Sequence, residues 1–280
     1  MEFLKRNILL LVSLLVVNVL FGQTSEKPQL HLLSIGPHFT DIHFTAEDAT
    51  DFVKIFETQN TIYDKGLFQI ITDSNATKFN IETALSNINQ QHQSGLIKNT
   101  DMLILFISSH GFLVDNSTQI HIKGSDFDEN DEINTSINFQ AFIDSLSTIP
   151  CKKIVFIDAC FSGLINVDAL NMTSTKASDI ALATAIQQLM RVQDDWAIFS
   201  SSNDEPSWEH SDWQNGAFTE ALVEGLYNAQ ADLNQDFIIT INELYSFLSK
   251  RVPTLNKEIG FPRQHPQLKN DLGDLPIFAY

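Results

Sequence analysis

Two short stretches of the 280-residue chain end in residues that can break an acyl bond. DMLILFISSHG delivers His110 followed by Gly111, and KKIVFIDACFSG delivers Cys160 followed by Ser162 and Gly163. A cysteine thiol is a weak nucleophile until it becomes a thiolate, and a neighbouring imidazole supplies that activation. A glycine close behind lets backbone N–H groups approach a developing oxyanion with no Cβ in the way. In this chemistry Cys160 forms the acyl intermediate and His110 protonates the leaving amine. Each residue alone has a plainer reading, as a surface histidine or a core cysteine. The pair at matching strand ends is what points to catalysis.

Those ends have to meet at one edge of a sheet. Asp101–Ser108 and Lys153–Ala159 are continuous apolar runs of the kind that parallel sheets bury on both faces. Further strands read at Leu30–Gly36, Leu67–Thr72 and Trp196–Ser201, with a hairpin over Val114–Ile122 and a short terminal strand at Pro276–Tyr280. Helical spacing covers Ala46–Gln59, Phe79–Gln91, Phe139–Leu146, Gly216–Tyr227 and Ile241–Val252. Thr45 is placed to cap the first helix, with Asp48 at the reach-back position. The alternation predicts an α/β fold: a mostly parallel, doubly wound sheet of about six strands with helices on both faces. In such sheets the site lies beyond the carboxyl ends of the strands.

The N-terminus carries Lys5 and Arg6 and then a nearly all-apolar run from Ile8 to Phe21. About 14 residues match the apolar region of a secretion signal and fall short of the ~20 that span a bilayer. Residues 1–22 are therefore expected to be a cleaved signal peptide, with an uncleaved anchor as the alternative, and 23–280 an exported domain (periplasm, cell surface or secreted). The formal net charge of −18 shows no basic stripe for nucleic acid, and no membrane contact is expected after cleavage. The acidity serves solubility in the plain reading, or draws in cationic substrates or metal ions. Cys151 and Cys160 flank one strand, which at ~3.3 Å per residue sets their Cα atoms roughly 30 Å apart. A disulfide needs less than ~7 Å, so Cys160 is expected to be a free thiol.

HG after an apolar strand, followed by DACFSG after the next, resembles the caspase family, in particular its metacaspase-like and bacterial branch. The resemblance spans about residues 30–280. AEDATDF (46–52), SSSNDEPSWE (200–209), GAFTEALVEGL (216–226) and ADLNQDFIITINEL (231–244) fit in order. It implies a caspase–haemoglobinase fold and peptide-bond hydrolysis by a Cys–His dyad. His110 matches the base, Cys160 the nucleophile, and Gly111 and Cys160 would offer oxyanion N–H groups. It further implies a large-subunit-like part at about 30–163, a linker at about 164–195 and a small-subunit-like part at about 196–280. Lys176 and Arg191 are the linker residues suited to autoprocessing.

Specificity follows from charge. Caspases proper carry Gln two places before the nucleophile and bind an acidic P1 residue through arginines. This chain has Asp158 there, while Asp48 and Ser108 match other positions that line the basic-P1 pocket of metacaspases. Asp204 is a weaker pocket candidate, and Asp158 has an alternative reading as a hydrogen-bonding strut. A buried carboxylate pair is costly unless a cation fills the pocket, which predicts a protein or peptide substrate cut after Arg or Lys. The chemistry needs no cofactor. Calcium is a separate expectation: Asp232, Asn234, Asp236 and Glu243 take positions 1, 3, 5 and 12 of an EF-hand-like loop, although Phe237 replaces the turn glycine. The acidic loop 125–132, with Asp168, is a second candidate. No metal ligand set or oligomeric state is assigned. The competing functions are a catalytically inactive caspase-fold binding module and a small-molecule thiol hydrolase or acyltransferase.

Overall fold

The computed structural model describes residues 26–114, 119–160, 195–199, 205–269 and 274–280. The expected signal peptide, nearly all of the expected linker with Lys176 and Arg191, Asp168 and Asp204 lie outside the described residues. In chain order the strands are β1 (Gln29–Pro37), β2 (Asp64–Asp73), β3 (Met102–Leu113), β4 (Ile120–Lys123), β5 (Ser136–Asn138), β6 (Lys152–Cys160), β7 (Asp195–Phe199), β8 (Glu209–His210), β9 (Asn215–Gly216), β10 (Ile238–Thr240), β11 (Gln267–Lys269) and β12 (Pro276–Ala279). The helices are α1 (Thr45–Glu57), α2 (Lys78–Gln93), α3 (Glu132–Thr135), α4 (Phe139–Ser147), α5 (Ala217–Leu222) and α6 (Ile241–Ile259).

The main sheet runs β11-β7-β6-β3-β1-β2. Its first five strands in sequence (β1, β2, β3, β6, β7) pair in parallel, and β11 closes one edge antiparallel to β7. The mostly parallel, doubly wound sheet of about six strands is therefore present.

Side-chain alternation along the strands builds two cores. Met102, Ile104 and Phe106 of β3 join Ile154 and Phe156 of β6 under α1, α5 and α6. Leu103, Leu105 and Ile107 join Val155 and Ile157 under α2 and α4. Several of the chain's 21 phenylalanines pile up where α1 meets the sheet. Phe52 stacks on Phe106 at 4.4 Å between centroids and tilts against Phe156 at 5.1 Å. Offset aromatic pairs of this kind add about 0.5–1.5 kcal/mol beyond the area they bury. They hold α1 rigidly against the two strands that carry His110 and Cys160.

The structure corrects three sequence readings. Thr45 does not cap α1: Phe44 is the N-cap residue, the Thr45 hydroxyl donates to the Pro37 carbonyl, and the Asp48 carboxylate turns away from the helix end. β3 does not stop at Ser108. It runs on to Leu113, leaving β6 after His110 and pairing with β4 from Gly111 onward. His110 thus sits inside a strand, at the point where it changes partners. α6 does not stop at Val252 but passes through Pro253 to Ile259. A proline inside a helix loses one backbone hydrogen bond, and the buried Val252, Leu255 and Asn256 hold the helix together across it. Cys151 is buried in the core below α2 and α4 at the start of β6. The nine-residue strand that follows reaches Cys160 at its far end. Among the described residues no helix is long and apolar enough to cross a membrane.

Candidate active site

In the β3–β6 ladder His110 is the register partner of Cys160, and Ser108 the partner of Asp158. Paired positions on adjacent strands lie about 4.8 Å apart, so the backbone brings the two sequence-predicted reactive residues side by side. Parity places Ser108, His110 and Asp158 on the α1 side of the sheet, the side of Phe106 and Phe156.

On that side lies a cleft of about 380 Å³. Asp41, Asp48, Ser108, His110, Asp158, Ser207, Trp208, Glu209, Gly216 and Phe261 are among its walls, and none of the described lining residues is Lys or Arg. Four elements meet there: β3 where it parts from β6, the carboxyl end of β6, the start of α1, and the segment from Ser207 to Gly216.

The floor is acidic. Asp48 is 3% exposed and Asp158 5%. Asp48 accepts the Gly216 N–H at 2.8 Å on Oδ1 and the Ser108 hydroxyl at 2.7 Å on Oδ2. Asp158 accepts the Ser207 hydroxyl at 2.6 Å and the Thr219 hydroxyl at 3.0 Å. Burial pushes the Asp48 carboxyl well above the ordinary carboxylate range, and the charge of Asp158 pushes it further; the bonds from Gly216 and Ser108 oppose this and lose. Gln264 is fully buried and donates to Ser207 at 3.0 Å, so the Asp158 arrangement is braced from the segment after α6.

Three of the four predicted pocket residues, Asp48, Ser108 and Asp158, therefore share one cleft with His110; the fourth, Asp204, is outside the described residues. Gly111, the predicted oxyanion donor, pairs with Ile122 of β4 directly beside His110.

Reasoning from sequence missed several contributors. Glu209 accepts the N–H groups of His43 at 2.9 Å and Phe44 at 3.1 Å, satisfying the free end of α1 from 165 residues away. Gly216 supplies both an N–H group and an absent side chain. Asp41 accepts from His110 Nε2 at 3.0 Å. Trp208 stacks on Phe261 at 4.9 Å and 21°, forming an aromatic wall. The hints were SSSNDEPSWE, which contains Ser207, Trp208 and Glu209, and GAFTEALVEGL, which begins at Gly216, but neither says what these residues face.

The EF-hand-like loop folds by its own hydrogen bonds. Asp232 accepts N–H groups from Gln235, Asp236 and Phe237 and the hydroxyl of Tyr280. Phe237 takes the left-handed backbone, φ 69°, that a glycine would otherwise supply. Asp126 of the second acidic loop accepts from Lys78 N–H at the start of α2. Among the described residues no three His, Cys, Asp or Glu side chains converge as metal ligands. No step below uses a metal ion.

Comparison with known proteins bears on the fold and the family. The profile of the caspase domain, Peptidase_C14, matches residues 35–274. The chain belongs to the caspase-domain family. Among solved structures it is similar to caspase-1 from Spodoptera frugiperda, at 17% identity and a TM-score of 0.52, covering 89% of this chain and 90% of that one. It also matches pro-sf-caspase-1, at 15% identity and a TM-score of 0.49, over 89% and 93% of the two chains. A search of curated proteins returned no significant match. Members of this family are cysteine peptidases as a rule and act on protein substrates, and the α/β sheet described above is their fold.

Proposed function

We propose that this chain is an exported cysteine endopeptidase that cuts after Arg or Lys, with Cys160 as nucleophile and His110 as acid–base. The observation that carries the reading is the pair of buried carboxylates, Asp48 and Asp158, at the floor of a cleft bordered by His110. A cationic P1 side chain entering that cleft meets two hydrogen-bonded acids and no described lysine or arginine. The two charges raise each other's energy in the empty cleft, and a guanidinium or ammonium group relieves this.

In this reading the Cys160 thiolate adds to the scissile carbonyl carbon. Backbone N–H groups of Gly111 and Cys160 stabilise the oxyanion. His110 gives a proton to the leaving nitrogen as the C–N bond breaks. Water then attacks the thioester, its proton passes to His110, and the C–S bond breaks to release the acid. A thiolate, an imidazole and backbone donors suffice, so the chemistry takes no cofactor. Residues 1–22 direct export, and the free thiol works outside the cytoplasm.

Cleavage of a proteome-derived peptide library, with mass spectrometry of the new termini, tests the specificity. The reading expects Arg or Lys before the cut in most products. Products dominated by Asp before the cut would keep the peptidase and discard the acidic pocket.

A further inference from the structure

We infer that Asp41 is a positioning residue for His110, so that the working set is carboxylate, imidazole and thiol rather than a pair. Its catalytic meaning rests on the peptidase reading above; its structural meaning does not.

After β1 the chain lines the cleft with Asp41 and Ile42 before α1 begins. There Asp41 Oδ1 lies 3.0 Å from His110 Nε2, and the Phe39 ring meets the imidazole edge-on at 4.7 Å and 65°. An ionised carboxylate only accepts hydrogen bonds, so Nε2 must carry the hydrogen when the imidazole is neutral. The lone pair is then on Nδ1. One contact thereby fixes both the tautomer and the tilt of the ring, and leaves Nδ1 to exchange a proton with Cys160.

The segment is held well enough for this. Glu209 binds the N–H groups of His43 and Phe44, and the Thr45 hydroxyl donates to the Pro37 carbonyl, so the loop is tied just after Asp41 and back to the end of β1. The Asp41 side chain itself is 70% exposed, while that of His110 is 23% exposed. Exposure sets the size of the effect. A buried triad acid contributes about 10⁴ in kcat, whereas water competes for an exposed one and exposed ion pairs contribute little. The expected loss on removing Asp41 is about 10-fold in kcat, with KM nearly unchanged.

The test compares the purified protein with its Asp41→Asn, Asp41→Ala and Asp41→Glu variants, each checked by circular dichroism for folding. Nitrogen-15 NMR of labelled histidine, assigned with His110→Gln, reads the tautomer of the neutral ring. Hydrolysis of a basic-P1 peptide reads kcat and KM. Expected are an Nε2–H tautomer in the wild type, its loss in Asp41→Asn with about a 10-fold fall in kcat, and partial return of both in Asp41→Glu. An unchanged tautomer, or a changed tautomer with unchanged kcat, overturns the inference. A wild type that cleaves nothing would sink the peptidase reading, and the tautomer result would still decide whether Asp41 sets the ring.

Discussion

A Cβ added to Gly216 would lie 2.7 Å from Oδ2 of Asp158 and 3.4 Å from Oδ2 of Asp48. The backbone at this position is φ −66°, ψ 149°, which any residue adopts. Glycine is therefore required by space, because the residue's N–H must reach Asp48 while its Cα passes between the two acids. Gly216→Ala is expected to destabilise the fold by about 1–3 kcal/mol through overpacking. It should also lower kcat/KM for basic-P1 peptides about 100-fold, mainly through KM, because it alters uniform binding rather than the reacting groups. Denaturant unfolding beside steady-state kinetics checks both parts, and wild-type KM in a folded variant would contradict the pocket geometry.

Asp48 makes stability depend on pH. Burial and the charge of Asp158 raise its carboxyl in the folded protein above the ordinary value of 3.8. Between that value and the raised one, the folded state binds more protons than the unfolded state. Stability of the empty protein therefore falls as pH rises through this window. Asp48→Asn removes the effect and is expected to make the protein more stable than wild type at neutral pH. At pH near 4, where Asp48 is protonated in the folded state, the gain should shrink. A pH series of melting temperatures decides the matter, and a variant less stable than wild type at pH 7 would contradict it. The same variant should lose affinity for basic P1 residues.

Much of the architecture was legible because it rests on local signals. The apolar runs at 101–108 and 153–159 are strands of the central sheet, and their alternating residues feed the two cores as the period of two requires. That His110 and Cys160 emerge at one edge of the sheet follows once the strands are parallel neighbours; their direct pairing is seen only in the folded register. What was not legible depends on contacts distant in sequence. Nothing near Glu209 says that its carboxylate closes the end of α1, and nothing near Asp41 says that His110 lies across the cleft. Asp48 looked like a helix cap because its spacing from Thr45 allows one. The bonds from Gly216 and Ser108 outcompete that role only in the folded chain. The helical spacing was legible only to Val252, and tertiary packing of Val252 and Leu255 carries α6 past Pro253 to Ile259.

Glu209 links the catalytic-side loop to the segment before α5. Glu209→Ala leaves the His43 and Phe44 N–H groups without their carboxylate, a loss comparable to removing a helix cap, and should cost about 1–2 kcal/mol. Because the same loop carries Asp41, kcat should fall as well. A Glu209→Ala protein with wild-type melting temperature and kcat would show that the tether has no effect on the site.

The central claim is a Cys160–His110 peptidase with an acidic P1 pocket. It is tested most directly by hydrolysis of fluorogenic peptides bearing Arg, Lys or Asp at P1, under reducing conditions, for the wild type and for Cys160→Ala. The account predicts cleavage after Arg and Lys, none after Asp, and loss of all cleavage in Cys160→Ala. Cleavage of no peptide by a folded wild type whose thiol alkylates no faster than free cysteine would contradict it, and would leave a caspase fold that binds rather than cuts.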